Sequence, residues 1–167
     1  MADRRMHRMT EGEAAELRQI LGERPRPLIQ VRGDQLLVVL LRDRLAVRQP
    51  TGWQLIAWAD VQRGGWDDAR RRLYWELVDG VEGFAELDEP GQLPHAFAER
   101  VRASIVVSRQ VRLNGDAGSV VLIGRRAPNT DEPVSWQVEA MGRTDLSDPR
   151  VAAEVVELVD ELKAEFE

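Results

Sequence analysis

The side chains best suited to acid–base or metal chemistry are few in this 167-residue chain, and they are scattered. His7 and His95 have neither a second histidine nor a carboxylate at the spacing typical of metal ligands. The serines lack the turn context of a hydrolase nucleophile, so a Ser-His-Asp triad is not indicated. The chain contains no cysteine, which excludes disulfides and thiolate chemistry. We therefore predict no catalytic residue, no metal and no cofactor, and the sequence favours a protein that is not an enzyme.

Two other segments could be mistaken for ligand sites. Asp67 and Asp68 are adjacent acids, but neighbouring side chains on a strand point to opposite faces, so they could share a metal only if a turn bent them together. Asp-Asp is also common turn chemistry, which is the interpretation we adopt. The segment GDAGS (115–119) lacks the Lys-Ser/Thr pair of a phosphate-binding loop and precedes a strand, so it predicts a hairpin loop.

Arginine and tryptophan side chains carry the candidate binding chemistry. Forked guanidinium groups near loops could gather an anionic head group or an acidic peptide. The alternative is that they pair with the neighbouring aspartates on the surface at little energetic gain. Indoles beside turn or loop residues could form an exposed rim on which a ligand stacks. The candidate partner-binding residues are Arg32, Arg42, Arg44, Arg70, Arg71, Arg72, Trp53 and Trp136, with Arg26 beside the same predicted loops.

Local patterns predict the order of helices and strands. Thr10 and Glu13 form a capping box that opens a helix ending at Gly22. Short β-like runs between residues 28 and 87 suggest about seven strands, with a turn at 32–34 and a core containing Trp58, Trp66 and Trp75. Apolar residues at helical spacing then predict a helix over 93–107.

The remaining residues predict three more strands and a final helix. That helix opens at Asp148-Pro149, and its acidic C-terminal turns oppose the helix dipole, so docking of its apolar stripe must stabilise it. The stripe consists of Val151, Val155, Val159, Leu162 and Phe166.

Composition limits the class of protein. A chain of 167 residues that is 43% hydrophobic suits one well-developed core, so we expect a single domain over 1–167. A net charge of −6 argues against general nucleic-acid binding. The longest apolar run, Leu36 to Leu41, is far shorter than the ~20 residues that a membrane span needs, and the N-terminus has no apolar signal core. We therefore expect a cytoplasmic protein.

Three segments in fixed order resemble bacterial pleckstrin-homology-like (PH-like) domains and the related GRAM modules, of the kind found in actinobacterial proteins. LLVVLLRDRLAVRQ (36–49) resembles their hairpin with a Thr-Asp-Arg-Arg turn, here without the threonine. LIAWADVQRGGWD (55–67) resembles their Pro-Trp segment, with Ala57 where proline is usual. LYWELVDG (73–80) resembles the following strand and turn. The resemblance covers about 28–107 and implies a seven-stranded antiparallel barrel or sandwich capped by a helix.

These observations together predict an α+β protein with a PH-like core over about 28–107, an N-terminal helix, and added C-terminal strands and helix over 108–167. PH-like folds serve many functions, so the function is a separate hypothesis. We expect a non-enzymatic protein-binding or scaffold module whose protein partner is unidentified, and a homo-oligomer stays open. The alternative is a peripheral membrane module that binds anionic lipid through loop arginines. A small enzyme of unknown reaction is the third hypothesis.

Overall fold

The computed structural model describes residues 7–128 and 130–166. This part of the chain is an α+β protein with three α-helices and ten strands in three antiparallel sheets. It divides into two compact units. The described residues of the first unit are 7–103 and 127–128, and those of the second are 104–126 and 130–166. The single domain expected from chain length stays a prediction.

The first unit consists of a helix, two meanders and a second helix. Helix α1 spans Glu11–Leu21 and is followed by strands β1 (Ile29–Gly33), β2 (Leu36–Leu40), β3 (Arg44–Gln49) and β4 (Gly52–Ala57), which pair in that order. A short 3-10 helix, Trp58–Asp60, leads to β5 (Val61–Asp67), β6 (Arg72–Leu77) and β7 (Glu82–Glu86), a separate sheet. Helix α2 (Leu93–Ala103) ends the unit.

The seven strands predicted between residues 28 and 87 are confirmed, and of the two predicted architectures, barrel or sandwich, the closed barrel is wrong. Within the described residues the four-stranded and three-stranded sheets share no strand pair, so the unit has no closed barrel. The turn predicted at 32–34 also shifts along the chain: β1 continues through Gly33, and Asp34 and Gln35 form the turn.

The second unit confirms the predicted strands and final helix. Strands β8 (Ile105–Arg112), β9 (Ser119–Arg125) and β10 (Ser135–Met141) form a sheet in the order β10-β9-β8, and helix α3 covers Pro149–Phe166. The predicted helix over 93–107 is too long, because α2 ends at Ala103 and Ile105 already pairs with Arg125. Ile105 fits the helical spacing of Phe97 and Val101, but Ile105, Val106 and Val107 are consecutive β-branched residues, which favour a strand.

The beginning of α1 shows how local chemistry fixes an element. The Thr10 hydroxyl accepts a hydrogen bond from the Glu13 backbone N–H at 3.1 Å, and the Glu13 carboxylate accepts one from the Thr10 N–H at 2.9 Å. Gly22 ends the helix in the left-handed conformation at φ +76°. The predicted capping box and stop signal are therefore confirmed.

Strand β2 is covered on both faces, as its continuous apolar run predicts. Leu37 and Val39 pack with Leu17 of α1, whereas Val38 and Leu40 belong to the main core between the two sheets. Trp58 and Trp75 are buried in that core, as expected, and Trp66 packs against it half-buried.

Trp58 lies in the short 3-10 helix, not in a strand. Its indole N–H donates to the Leu41 carbonyl at 3.0 Å, and its ring meets Phe97 of α2 edge-on with centroids 5.7 Å apart. The polar edge of this buried indole is thus satisfied.

Helix α3 docks on the strands of its own unit. Val151, Val155 and Leu162 are buried, and Val159 and Phe166 pack against the same cluster. The partner surface comes from β9, β10 and their neighbours, including Leu113, Val120, Leu122 and Val138. The predicted apolar stripe is confirmed.

Candidate functional site

Arg32 fastens α1 to the first sheet. It lies on β1, not in the predicted turn, and its guanidinium binds both carboxylate oxygens of Glu13, at 2.6 and 3.2 Å. The side-chain hydrogen bond from Arg32 is the main cause that lowers the pKa of Glu13 to about 2, with hydrogen bonds from Thr10 adding to it and burial opposing it. This candidate binding arginine is therefore engaged within the fold.

Trp53 is also covered by α1. It lies on β4 and packs, half-buried, against the cluster beneath the helix. Its indole N–H donates to Glu16 at 3.2 Å, and the Arg48 Nε donates to the same oxygen at 3.0 Å. The Arg48 guanidinium holds the pKa of Glu16 below its usual range. This site does not resemble the exposed rim that the neighbouring turn suggested.

Arg42 and Arg44 lie at the connection between β2 and β3. Arg44 Nη2 is 2.7 Å from Asp43 Oδ2, so this guanidinium pairs with its neighbour in sequence. Arg42 is exposed and makes no ion pair with any residue in the described ranges.

The arginines of the β5–β6 turn pair with the two aspartates. Arg70 Nη1 is 3.3 Å from Asp67, and the Arg70 backbone N–H also donates to Asp67, which lowers the pKa of that carboxyl. Arg71 Nη1 is 2.7 Å from Asp68. Asp67 and Asp68 therefore bind the arginines of their own turn, in agreement with their interpretation as turn residues.

Trp136 lies on β10 in the second unit. It is half-buried, and its ring meets Phe166 at a centroid distance of 6.5 Å. Its indole nitrogen is buried and makes no hydrogen bond within the described residues. Trp136 thus contributes to the docking of α3.

The feature that the sequence interpretation missed is one face of the sheet β5-β6-β7, which we call the outer face. Strand register places three cross-strand rows on it. The central row joins Gly65, Tyr74 and Phe84, and the exposed fractions of Tyr74 and Phe84 are 42% and 49%. The flanking rows are charged: Arg63, Glu76 and Glu82 on one side, and Asp67, Arg72 and Glu86 on the other.

Contacts within the outer face orient the two rings. The Arg72 guanidinium lies 4.5 Å from the centroid of the Phe84 ring, a cation–π contact. A side chain at Gly65 would place its Cβ only 3.3 Å from the Tyr74 hydroxyl, so this glycine leaves room for the tyrosine ring. A cavity of about 780 Å³ lies along this surface and includes Tyr74 and Phe84 in its lining. Two exposed aromatic rings thus lie inside a frame of charges.

Strand β7 forms one edge of this sheet. The backbone hydrogen bonds from Leu87 to Arg71 and from Leu77 to Val81 extend the β6–β7 ladder by one residue beyond each end of β7, at odd-numbered positions. Because these bonds alternate along an antiparallel strand, the N–H and C=O groups of Glu82, Phe84 and Glu86 point away from β6. Among the described residues, no backbone hydrogen bond from a turn, loop or neighbouring sheet is made to these N–H and C=O groups. A Cβ at Gly33 of β1 would lie 2.5 Å from the Glu86 carbonyl oxygen, so β1 covers that carbonyl. The strand edge is therefore unpaired at Glu82 and Phe84.

A groove of about 640 Å³ runs beside β7. Its other wall consists of the β1–β2 turn, the β3–β4 turn and nearby strand residues, including Gln35, Pro50 and Gln54. The charged residues that line it are Asp34, Glu82 and Glu86, all acidic. A ligand in this groove would meet negative charge and the Phe84 ring.

The alternation Leu73, Tyr74, Trp75, Glu76 was the available sequence signal for the outer face. Leu73 and Trp75 are buried, whereas Tyr74 is exposed between them. The sequence shows that Tyr74 faces away from Leu73 and Trp75, but which face meets the core depends on packing.

Other polar residues form small local groups. His7 Nδ1 accepts the Arg32 backbone N–H at 3.0 Å. Against the sequence-based expectation, His95 has a carboxylate one helical turn away, with Nε2 3.5 Å from Glu99, although both side chains are exposed. Within residues 7–128 and 130–166, no group of three or more His, Asp or Glu side chains is placed to hold a metal ion.

One buried arginine lies in the second unit. Arg125 Nε donates to Gln137 at 2.9 Å and Nη1 donates to Ser104 at 3.3 Å. Burial lowers the pKa of Arg125, and the charge of Glu139 opposes that shift. Its hydrogen bonds join β9 to β10 and to Ser104, the residue that precedes β8.

Comparisons of the chain with protein-family models, curated proteins and solved structures found no match. Among the helices of the described ranges, none has both the length and the apolar composition required to cross a membrane.

Proposed function

We propose that the chain is a non-enzymatic protein-binding module and that the outer face of β5-β6-β7 is its contact surface. The observation that carries this proposal is the exposure of Tyr74 and Phe84, side by side, next to an unpaired strand edge. Aromatic residues are enriched at protein interfaces because each removes a large apolar area from water on binding. The charged rows around them form the polar rim that such interfaces have.

A PH-like architecture for the first unit belongs to the same proposal. Four antiparallel strands, three antiparallel strands and a helix follow one another along the chain, in the order that the resemblance implies. Trp58, at the junction of the two meanders, packs on Phe97 of that helix. The proposal also includes a cytoplasmic location for the protein.

The anionic-lipid alternative has less support from the geometry. Arg44, Arg70 and Arg71 each pair with an aspartate of their own loop, which reduces the positive charge open to a head group. Arg26 and Arg42, both exposed and without an ion pair among the described residues, are the candidates that this argument leaves to the lipid alternative. The enzyme hypothesis has less support as well, because neither His7 nor His95 lies in a convergent set of acid–base groups among the described residues.

Site-specific photocross-linking tests the proposal. A photoreactive phenylalanine analogue replaces Phe84 in the native cell, and the matched control places it at Val156, which is 58% exposed on α3. We expect discrete polypeptide adducts from position 84 that are absent from position 156. Identical adduct patterns at both positions, or lipid adducts alone at position 84, would contradict a protein-binding role for this face.

A further inference from the structure

We propose that the partner is an extended basic segment of another protein, which adds to β7 as a fourth strand of the sheet β5-β6-β7. This inference rests on the proposed function and names the chemistry of its partner. In such a complex the backbone of the segment supplies affinity, and its alternate side chains supply specificity.

The backbone of β7 offers the required hydrogen bonds. Glu82 and Phe84 direct their N–H and C=O groups away from β6, into the side of the sheet where the groove lies, whereas the Glu86 carbonyl lies against Gly33 of β1. Five residues of strand span roughly 17 Å, so a short segment that pairs at Glu82 and Phe84 also passes the Glu86 side chain. An added strand would therefore satisfy the unpaired edge.

The side chains at the same positions define the sequence of the partner. Glu82 and Glu86 flank Phe84 on the outer face, and Asp34 adds a third negative charge beside the groove. Cross-strand neighbours of opposite charge stabilise a sheet, and apolar neighbours pack on an aromatic ring. The complementary strand therefore places basic, apolar and basic residues opposite Glu82, Phe84 and Glu86.

The same charges disfavour a second copy of this chain as the partner. Antiparallel pairing of two β7 strands about Phe84 would put Glu82 of one copy opposite Glu86 of the other, and like charges directly opposite are destabilising. An anionic membrane would meet the same acidic groove. The charge pattern thus selects a basic polypeptide.

Peptide binding measured by calorimetry and NMR tests this inference. The probe is the peptide GRTITRG, and the controls are GETITEG and the rearranged GRRITTG, all blocked at both ends. We expect GRTITRG to bind about tenfold more tightly than GETITEG, since two favourable cross-strand pairs become unfavourable. On saturation, hydrogen exchange at the amides of Glu82 and Phe84 should slow.

Charge exchange and backbone methylation make the test specific. The double variant Glu82→Arg/Glu86→Arg should prefer GETITEG, whereas Glu89→Arg/Glu99→Arg, with the same change in net charge on exposed residues, should keep the native preference. N-methylation of the peptide isoleucine should abolish binding, because that N–H faces Phe84, and N-methylation of an adjacent threonine should not. Thermal melts of both variants establish that they are folded.

The inference fails if binding does not depend on peptide charge, if the peptide does not bind, or if the Phe84 amide is not protected. It also fails if the native protein dimerises through β7 in sedimentation experiments, or if phosphatidylserine vesicles protect the strand edge. If cross-linking at position 84 still captures a protein, only the basic-strand inference fails. If position 84 captures none as well, the proposed function fails with it.

Discussion

At the scale of single residues, the partner of an arginine decides its role. Arg32, which the sequence suggested for ligand binding, instead holds Glu13 with two hydrogen bonds across the junction of α1 and β1. Phe84, which carried no catalytic or binding motif, is exposed beside Arg72 and an open strand edge. Residue type defines what chemistry is available, and the surroundings define whether it is already used.

The Glu13–Arg32 pair predicts a dependence of stability on pH. The pKa of Glu13 falls from 4.5 to about 2 on folding, chiefly through Arg32. A lowered pKa in the folded state gives stability that is present above pH 4.5 and is lost as the pH falls through 2. We expect Glu13→Gln to lower the free energy of unfolding by roughly 2 kcal/mol at pH 7, with a much smaller difference near pH 2. Urea unfolding at a series of pH values measures it.

Glutamine is suited to this experiment because it can retain the capping box while removing the charge. Glu11→Gln, at an exposed position in the first turn of the same helix, serves as the control. Equal pH-dependent losses in the two variants would show that helix-end charge, and not the pair with Arg32, causes the effect.

The buried tryptophans predict a large difference between core and outer face. Trp58 and Trp75 are among the largest fully buried side chains. Trp58→Ala or Trp75→Ala should lower the free energy of unfolding by ~3–5 kcal/mol or prevent folding, through lost burial and cavity formation. Tyr74→Ala, next to Trp75 in sequence but 42% exposed, should change the free energy of unfolding by about 0.5 kcal/mol or less. Thermal melts that leave the Trp58 variant unchanged would exclude its core role.

At the scale of elements, packing stabilises α3 against its own charge pattern. Acidic residues at the C-terminal end of a helix oppose its dipole, and Lys163 is the basic residue in the last turn. The cluster that joins α3 to β9 and β10 supplies the compensating burial. The helix therefore belongs to the folded second unit.

Adjacent positions on α3 provide a matched test. Val155 is buried in the cluster and Val156 is 58% exposed. Val155→Asp should destabilise the second unit by about 3 kcal/mol, because it buries an unpaired carboxylate and removes apolar contact, while Val156→Asp should stay within about 0.5 kcal/mol. The hydrogen-exchange rates of amides in β9 measure this loss of stability in the second unit. Similar exchange in both variants would mean that α3 is not docked.

At the scale of the whole molecule, several carboxylates among the described residues are already bound by arginine side chains. Glu13, Glu16 and Asp67 each accept hydrogen bonds from an arginine side chain. Carboxylates that bind separate arginines do not converge on one point, so they are poorly arranged to share a cation.

Chelation should therefore leave the protein unchanged. We expect the melting temperature in EDTA to match that in buffer, since Asp67 and Asp68 pair with Arg70 and Arg71. Differential scanning calorimetry with and without the chelator measures it, and restoration by added Mg²⁺ or Ca²⁺ provides the control. A marked drop that added cation reverses would show that a metal supports the fold.

The sequence by itself determined the local features of this protein. The capping box of Thr10 and Glu13, the stop at Gly22 and the apolar stripe of α3 depend on residues a few positions apart, so their patterns were readable without tertiary contacts. The seven-strand count between 28 and 87 followed from turn chemistry in the same way. Only where one pattern fitted two structures, at Ile105, did the prediction extend a helix into a strand.

Tertiary structure alone decided which of these residues could meet a partner. Arg32 and Trp53 are engaged by Glu13 and Glu16, which are 19 and 37 residues away along the chain, and no local pattern encodes such pairs. The separation of seven strands into two sheets and the exposure of Phe84 on an unpaired edge likewise depend on how distant segments pack. Alternation along a strand defines two faces, but the rest of the fold decides which face is covered.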